Sequence, residues 1–580
     1  CLLQDGSRIC GCISELVPYP FEDAQTIYHA VLRGRRVSKN GPMLGHRKRQ
    51  SDGSRPYVWM SYQEVIDAAD SLAYSFGHIG LKLGQETFIA ISSKNRPEWV
   101  ISELATFRFG AVLVPLYDTL GKQAQTFSLN QVEAEIVICD TAVKATGLSI
   151  KNSVKYFFNY FYLVSKAEES GIKVYAFNEL LKIGHSESGN LQLHEPEPDK
   201  LSIICYTSGT TGQPKGVMLT HKNVIAATTC HYSLMEHPAK EDDVYISYLP
   251  LAHMYEQILE CALYEVGSAI GFYSGDIRSL VDDMTTLRPT LFSLVPRVLN
   301  RIYDKVRLIR KPVSSFNNWG IIRKDTIVDG VFKRVRDLLG GRVRMMLVGS
   351  APVTGDVMTF ARAVFGVTVL EGYGKWETST TTKEQDCSTT GHAGVPMHCC
   401  AIKLIDAPEL NYYVDQGVGE VCLRGYNVFK GYYKNEEQTK ETLDKDGWLH
   451  SGDIGRWTET GCLKIIDRKK NIFKLQQGEY VAPEKIESTY AKSEFVAQSF
   501  VYGEGLKTCL VGIIVPEKES LEKLASNLNL DGLSYEQLCS EPSVKEALLE
   551  ILTDVGKKPL SFCPITYFEA QINDMYSRLK

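Results

Sequence analysis

The chain has 580 residues, a formal net charge of -5, 44% hydrophobic residues and 23% charged residues, the composition of a folded protein with material for more than one core. That charge gives no global attraction to nucleic acid, and no zinc-finger or other nucleic-acid signature accompanies it, so no nucleic-acid partner is expected. The 15 cysteines are scattered without metal-ligand spacing: Cys10-Gly-Cys12 and the adjacent Cys399-Cys400 pair match neither a zinc ribbon nor a redox Cys-x-x-Cys, which makes reduced thiols the expectation.

The sequence opens at Cys1 rather than methionine, which leaves room for an N-terminal anchor or targeting segment not present in this chain. Arg33, Arg35, Arg36, Lys39, Arg47, Lys48 and Arg49 then form a basic stretch without intervening acid. It reads either as a solvated loop or as a surface for an anionic leaflet, where each cation contributes ~1 kcal/mol. Ser61-Tyr-Gln-Glu64 is a capping box, and Val65, Ala69, Leu72 and Phe76 follow at helical spacing. Phe88–Ser92, Val112–Val114 and Ile136–Cys139 read as buried strands, with Pro97 in the first turn of the intervening helix. Strands separated by helices imply parallel pairing with helices on both faces. The aromatic stretch from Tyr156 to Val164 is too short and too polar to span a bilayer, and no run of about eighteen apolar residues occurs elsewhere.

The strongest chemical signal is Tyr206-Thr-Ser-Gly-Thr-Thr-Gly-Gln-Pro-Lys-Gly216, expected to follow the strand Leu201–Cys205 and to precede a helix. Its glycines and hydroxyls let donors approach phosphate oxygens, and Lys215 supplies a cation. It is not a Walker loop, because Lys215 follows Pro214 rather than glycine. Downstream, strands are expected at Leu291–Val295, Met345–Val348 and Val367–Leu370, the last two ending in the glycine turns Gly349-Ser-Ala-Pro352 and Glu371-Gly-Tyr-Gly374. Open parallel sheets hold ligands beyond the carboxyl ends of their strands, so a nucleotide is expected at these turns. Short strands such as Ile402–Ile405 and Glu420–Leu423 suggest a β-rich subdomain over about 400–466, and the charged run Asp467-Arg-Lys-Lys470 reads as a solvated turn in preference to a hinge.

The loop from Tyr206 to Gly216 resembles the phosphate-binding signature of adenylate-forming enzymes. Tyr248-Leu-Pro-Leu-Ala-His253, Gly349–Pro352, Glu371–Gly374, Trp448-Leu-His-Ser-Gly-Asp453 and Asp467–Lys474 are similar to further family motifs in the same order. Within that superfamily, Arg33–Pro42 and Lys474–Val481 resemble the long-chain fatty acyl-CoA synthetases, and the resemblance runs from about residue 18 to 556. It implies an α/β adenylate-forming fold: an N-terminal AMP-binding domain over 1–466, built from parallel α/β subdomains and the β-rich subdomain, and a small α+β mobile C-terminal domain over 467–580 that reads as truncated, incomplete near 556–566. The implied reaction joins a long-chain fatty acid to CoA through acyl-AMP, with ATP and Mg²⁺. Thr207, Ser208, Gly209, Thr210, Thr211, Gly212 and Lys215 would hold the β- and γ-phosphates. Gly349, Ser350, Ala351, Pro352 and Tyr373 would line the adenine, with Glu371, Gly372 and Gly374 among the other nucleotide-binding residues. Asp453 and Arg468 would hold the ribose hydroxyls, Glu377 would ligate Mg²⁺, and Lys215, Glu377 and His253 are the catalytic candidates. Taken from its apolar surroundings alone, His253 reads as a satisfied core histidine.

An acyl tunnel is also implied; at ~0.8 kcal/mol per buried methylene, a dozen methylenes contribute on the order of 10 kcal/mol before costs. Two departures bear on turnover. The family's Mg²⁺ turn reads Tyr-Gly-x-Thr-Glu, whereas this chain has Tyr373-Gly-Lys-Trp-Glu377, and Trp376 carries no hydroxyl. The family's Pro-Thr-x-Lys-x-Lys-Arg segment, whose lysine reaches the α-phosphate, is missing: Val555-Gly-Lys-Lys-Pro559 leads to Tyr567-Phe-Glu-Ala-Gln571, which resembles the family's last helix. Leu308–Trp319 is short beside the family. These departures keep open a second reading, an impaired relative that binds acyl chains or nucleotide without efficient turnover. Peripheral or anchored membrane association on the cytosolic side is expected, at endoplasmic reticulum, mitochondrial outer membrane or peroxisome; the near-terminal Ser577-Arg-Leu579 is followed by Lys580 and so is not a terminal peroxisomal signal. Oligomeric state is not legible.

Overall fold

Ser61 opens the first long helix as its spacing predicts: its Oγ accepts from the Glu64 amide at 3.3 Å, while the Glu64 carboxylate accepts from the Ser61 amide at 2.7 Å. The helix runs Tyr62–His78, with Val65, Ala69, Leu72 and Phe76 wholly buried. Pro97 starts the helix Pro97–Arg108, where its missing N–H costs no intrahelical bond. The computed structural model describes residues 1–117, 121–140, 156–159, 173–207, 213–229, 238–296, 298–300, 302–303, 327–349, 353, 355–375, 378–381, 390–469, 473–474, 480–481, 483–491, 493–502, 511–557 and 567–568.

Phe88–Ser92, Val112–Pro115 and Ile136–Cys139 pair in parallel and are buried along almost their whole length, as strands covered on both faces must be. They form the centre of a seven-stranded sheet that ends in the antiparallel pair Leu201–Thr207 and Lys215–Thr220. A nine-stranded sheet has a parallel centre of Thr368–Lys375, Met345–Val348, Leu291–Leu294, Val244–Ser247, Ala269–Phe272 and Pro42–Arg47. Antiparallel strands close both of its edges. Cys400–Ile405, Val418–Gly425, Leu449–Trp457 and Leu463–Arg468 make a four-stranded antiparallel sheet in the region read as β-rich. Beyond it, Val496–Tyr502, Val511–Pro516 and Tyr567–Phe568 form a three-stranded sheet. Ile486, Tyr490, Val501, Ile514, Leu548 and Leu552 bury a separate apolar cluster there. Among the described residues, no helix is long and apolar enough to cross a membrane.

Three local expectations are corrected. The signature loop leads into a strand, Lys215–Thr220, and the helix begins only at His221 behind the Thr220 cap. Val217 and Leu219 alternate into the core there, a period-two pattern that the glycine-rich prelude masked. Glu371-Gly-Tyr-Gly374 is not a turn: the strand continues to Lys375 and pairs Gly372, Tyr373 and Gly374 with Thr381, Thr380 and Ser379. Cross-strand hydrogen bonds satisfy a backbone that two glycines would otherwise leave loose. Tyr567–Phe568 lies in a strand beside Val511–Gly512, where a helix was expected; edge pairing decides its conformation.

The helix Met254–Val266 carries an acidic face that is inside the protein, with Glu256, Glu260 and Glu265 at most 1% exposed. Tyr245 donates to Glu256 at 2.7 Å, Tyr264 to Glu260 at 2.6 Å and Thr228 to Glu265 at 3.1 Å. Burial pushes Glu260 up from 4.5 to about 7, and burial followed by the Glu260 charge pushes Glu256 and Glu103 well up. Such a group takes up a proton on folding, so its contribution is full below about 4.5 and is lost as pH rises through about 7. The difference in unfolding temperature between wild type and Glu260→Gln should therefore shift in favour of the variant as calorimetric scans move up through that window; a pH-independent difference would contradict the assignment.

Candidate active site

Thr207 and Lys215 face each other in the ladder that brackets the signature loop. Ser208, Gly209, Thr210, Thr211 and Gly212 lie outside the described residues. The hairpin is anchored from below: Tyr206 is buried and its hydroxyl donates to Gln131 Oε1 at 2.6 Å. A Cβ on Gly216 would stand 2.9 Å from Ile204 Cγ2 and 3.1 Å from the Tyr206 ring, so this glycine of the signature is required by packing. Lys215 Nζ donates to Gln438 Oε1 at 2.6 Å and lies 5.4 Å from the Tyr432 ring centre. The Tyr433 amide donates to the Gly216 carbonyl at 2.8 Å, which brings this later segment against the hairpin. Neither Gln438 nor Tyr432 was legible as a site residue, because the contact spans more than two hundred positions of sequence.

Gly349 follows the strand Met345–Val348, and its amide donates to the Leu294 carbonyl at 3.3 Å. A Cβ there would be 3.2 Å from the Tyr255 ring, so Tyr255 forms a wall that sequence reasoning missed. Ser350, Ala351, Pro352, Trp376 and Glu377 lie outside the described residues. Glu371 is opposite Val348 in the parallel ladder, and burial raises its carboxyl to about 7. Gly372 and Gly374 flank Tyr373 in the antiparallel ribbon.

Tyr373 Oη donates to Asp453 Oδ2 at 2.5 Å, across two different sheets. Asp453 is 2% exposed and stands directly opposite Arg468, with Nε 3.9 Å from Oδ1. The backbone around Asp453 is pinned as well: its own amide donates to Ser451 Oγ at 3.0 Å, and the Gly452 amide donates to Glu420 Oε1 at 3.0 Å. Lys469 binds the same Glu420 at 2.9 Å and Glu409 at 2.5 Å. Of the charged run, Asp467 and Arg468 are thus strand rather than turn, Lys469 lies in the turn that follows, and Lys470 lies outside the described residues. Lys469 is held by Glu420 of a neighbouring strand and by Glu409 of the short 3-10 helix Pro408–Leu410, where opposite charge outweighs the pull of solvent.

His253 caps the helix Met254–Val266, its Nδ1 accepting from the Tyr255 amide at 3.0 Å. Burial lowers the imidazole to about 4, so it is neutral at neutral pH, and an accepting Nδ1 requires the proton on Nε2. Its ring meets Tyr117 edge-to-face at 6.0 Å. The cap gives this histidine a structural role that apolar surroundings alone did not reveal.

Residues 46–433 match the family described as AMP-binding enzyme. Long-chain-fatty-acid–CoA ligase 5 of Mus musculus is 45% identical over 574 residues, spanning 94% of this chain and 83% of the relative. Long-chain-fatty-acid–CoA ligase 1 of Homo sapiens is 40% identical over 630 residues, spanning 98% and 88%. Among solved structures, the adenylation domain of a carboxylate reductase from Mycobacterium chelonae superposes with a TM-score of 0.78 at 23% identity, covering 95% of this chain and 87% of that one. The A-PCP didomain of carboxylic acid reductase from Segniliparus rugosus in complex with AMP gives 0.76 at 22% identity, covering 95% and 78%. At these identities the two structures establish the shared fold.

Proposed function

The chain belongs to the AMP-binding enzyme family, and on that footing we propose that it activates long-chain fatty acids with ATP and transfers them to CoA. The observation that carries this reading is the identity to long-chain-fatty-acid–CoA ligases over nearly the whole chain. In the first half-reaction a carboxylate oxygen of the fatty acid attacks the α-phosphorus of ATP, and the bond to pyrophosphate breaks. In the second, the CoA thiolate adds to the acyl carbon, and AMP leaves with the electrons of the carbon–oxygen bond.

The residue roles are part of this proposal. The hairpin bearing Thr207 and Lys215 grips the β- and γ-phosphates, the orientation of Lys215 being supported by its bond to Gln438. Gly349 and Glu371–Gly374 flank the adenine, with Tyr255 behind Gly349. Asp453 accepts from the ribose hydroxyls: Tyr373 holds one of its oxygens in place, and burial keeps water from competing. Arg468 donates from the paired strand. His253, neutral and protonated on Nε2, acts beside the acyl and pyrophosphate positions as a hydrogen-bond donor rather than a cation. A carboxylate such as Glu377 together with phosphate oxygens is a donor set suited to Mg²⁺, which when bound neutralises phosphate charge. We assign the nucleotide-holding body to residues up to the end of the strand Leu463–Arg468 and the mobile domain to those beyond it, two residues later than the 466/467 boundary read from the sequence, because Asp467 and Arg468 pair with Ile454 and Asp453 in the four-stranded sheet; the separate apolar cluster of the later segment supports the division.

AMP release that requires both palmitate and CoA tests the function; affinity for either without such turnover would select the reading of an impaired binder.

Membrane association on the cytosolic side, where a lipid-soluble substrate collects, is a further part of the proposal. Arg33 and Arg36 pair with Asp23, and Arg47 pairs with Asp282 and Asp283. Lys39, Lys48 and Arg49 are exposed, as is Arg36 beside Asp23. At ~1 kcal/mol per cation, replacing Lys39, Lys48 and Arg49 by alanine is expected to weaken binding to anionic vesicles by on the order of 100-fold. Unchanged co-sedimentation would discard this surface.

A further inference from the structure

The N-terminal segment folds onto the edge of the four-stranded sheet, where Arg8 and Ile402 exchange backbone hydrogen bonds of 2.7 and 2.9 Å. A few residues on, the Val17 amide donates to the His398 carbonyl at 2.8 Å, which fixes the backbone just ahead of the strand Cys400–Ile405. Between these two anchors, the turn Cys10-Gly-Cys12 brings both thiols to His398. Cys10 Sγ stands 3.0 Å from Cys12 Sγ, and Cys12 Sγ stands 3.0 Å from His398 Nε2. All three ligand atoms lie within 4.8 Å of one another although 386 positions separate Cys12 from His398.

The surroundings are asymmetric. Cys10 is wholly buried and His398 is 7% exposed, whereas Cys12 is exposed. A Cβ on Gly11 would meet nothing within 4 Å, so the turn has open space over it. The sulfur separation is far longer than the ~2.05 Å of a disulfide. Zinc–sulfur bonds of ~2.3 Å at a tetrahedral angle place two thiolates ~3.8 Å apart, which the exposed Cys12 reaches by a sub-ångström displacement. Two thiolates and an imidazole suit a borderline-soft ion and reject hard Mg²⁺.

We propose that Cys10, Cys12 and His398 form a Zn²⁺ site that fastens the N-terminal segment to the four-stranded sheet. Binding converts two thiols to thiolates and releases two protons to solvent, His398 ligates through neutral Nε2, and water on the open side completes four-coordination. The site adjoins the first strand of that sheet, whereas Asp453 and Arg468 lie on its third and fourth strands. The metal therefore acts as a clasp outside the nucleotide site.

The full-length, reduced and metal-stripped chain titrated with Zn²⁺ is expected to bind one ion tightly and release two protons. Co²⁺ in its place is expected to give a thiolate charge-transfer band. Loss of a neighbour that merely orients a ligand costs ~10–100-fold in affinity, so Cys12→Ser and His398→Gln should each weaken Zn²⁺ by at least ~100-fold and remove the band, with AMP formation unchanged. Because Cys10 is buried and its replacement can disturb folding, the exposed Cys12 decides the matter. A chain that binds no Zn²⁺ tightly, or a Cys12→Ser chain that keeps the same stoichiometry, affinity and cobalt spectrum, overturns the proposal.

Discussion

Asp453→Ala is expected to lower kcat/KM for acyl-AMP formation by ~10²–10³-fold. Hydrogen bonds to a charged group contribute ~1.5–3 kcal/mol each, and on the proposed assignment the substitution removes the acceptor for two ribose hydroxyls at once. It also strips Tyr373 of the oxygen to which it donates and Arg468 of its facing carboxylate. ATP–pyrophosphate exchange with palmitate measures the effect directly. Tyr373→Phe, which leaves the carboxylate in place but loosens it, should cost only ~10-fold, since one bond of ~1.4 kcal/mol is a factor of ten. Exchange by a folded Asp453→Ala chain within a few-fold of wild type would remove Asp453 from the ribose site.

A comparable effect in the opposite direction is expected from inserting the family's Pro-Thr-x-Lys-x-Lys-Arg segment between Lys557 and Tyr567. A single cation or donor aimed at charge that develops in the transition state accounts for ~10²–10³ in rate, and this chain carries no matching lysine context. The fold is expected to tolerate the addition, because the helix Pro542–Lys557 ends at the insertion point and Tyr567–Phe568 is docked beside Val511–Gly512. The added residues then extend a connection and interrupt neither element. Exchange should rise by that factor, and mutation of the inserted lysine to alanine should cancel the gain. An insertion that folds and changes nothing would shift attention to Trp376, where Trp376→Thr restores the family's hydroxyl.

Much of the fold was legible wherever local rules suffice. The capping box at Ser61, Pro97 at a helix start and the buried strands Phe88–Ser92 and Ile136–Cys139 all formed, because cap chemistry, proline geometry and burial act over a few residues. The errors fell where strands recruit partners from a distance. Lys215–Thr220 and Gly372–Gly374 were misread because glycine marks a loop to any local rule, while ladder bonds to Leu201–Thr207 and Thr378–Thr381 make those stretches extended. Tyr567–Phe568 follows the same logic at a sheet edge.

The site divides in the same way. The sequence by itself determined the chemical inventory, in the threonine- and glycine-rich signature with Lys215, in Tyr373, and in Asp453 and Arg468, because motif order survives without coordinates. Only the tertiary structure decided that Tyr373 of one sheet grips Asp453 of another, that Gln438 steers Lys215, that His253 is a neutral helix cap, and that Cys10 and Cys12 meet His398. Apart from the local cap bond of His253, whose burial is nonetheless tertiary, those contacts join segments tens to hundreds of residues apart. Their energies come from burial and from charge held out of water, and neither exists until the sheets have packed together.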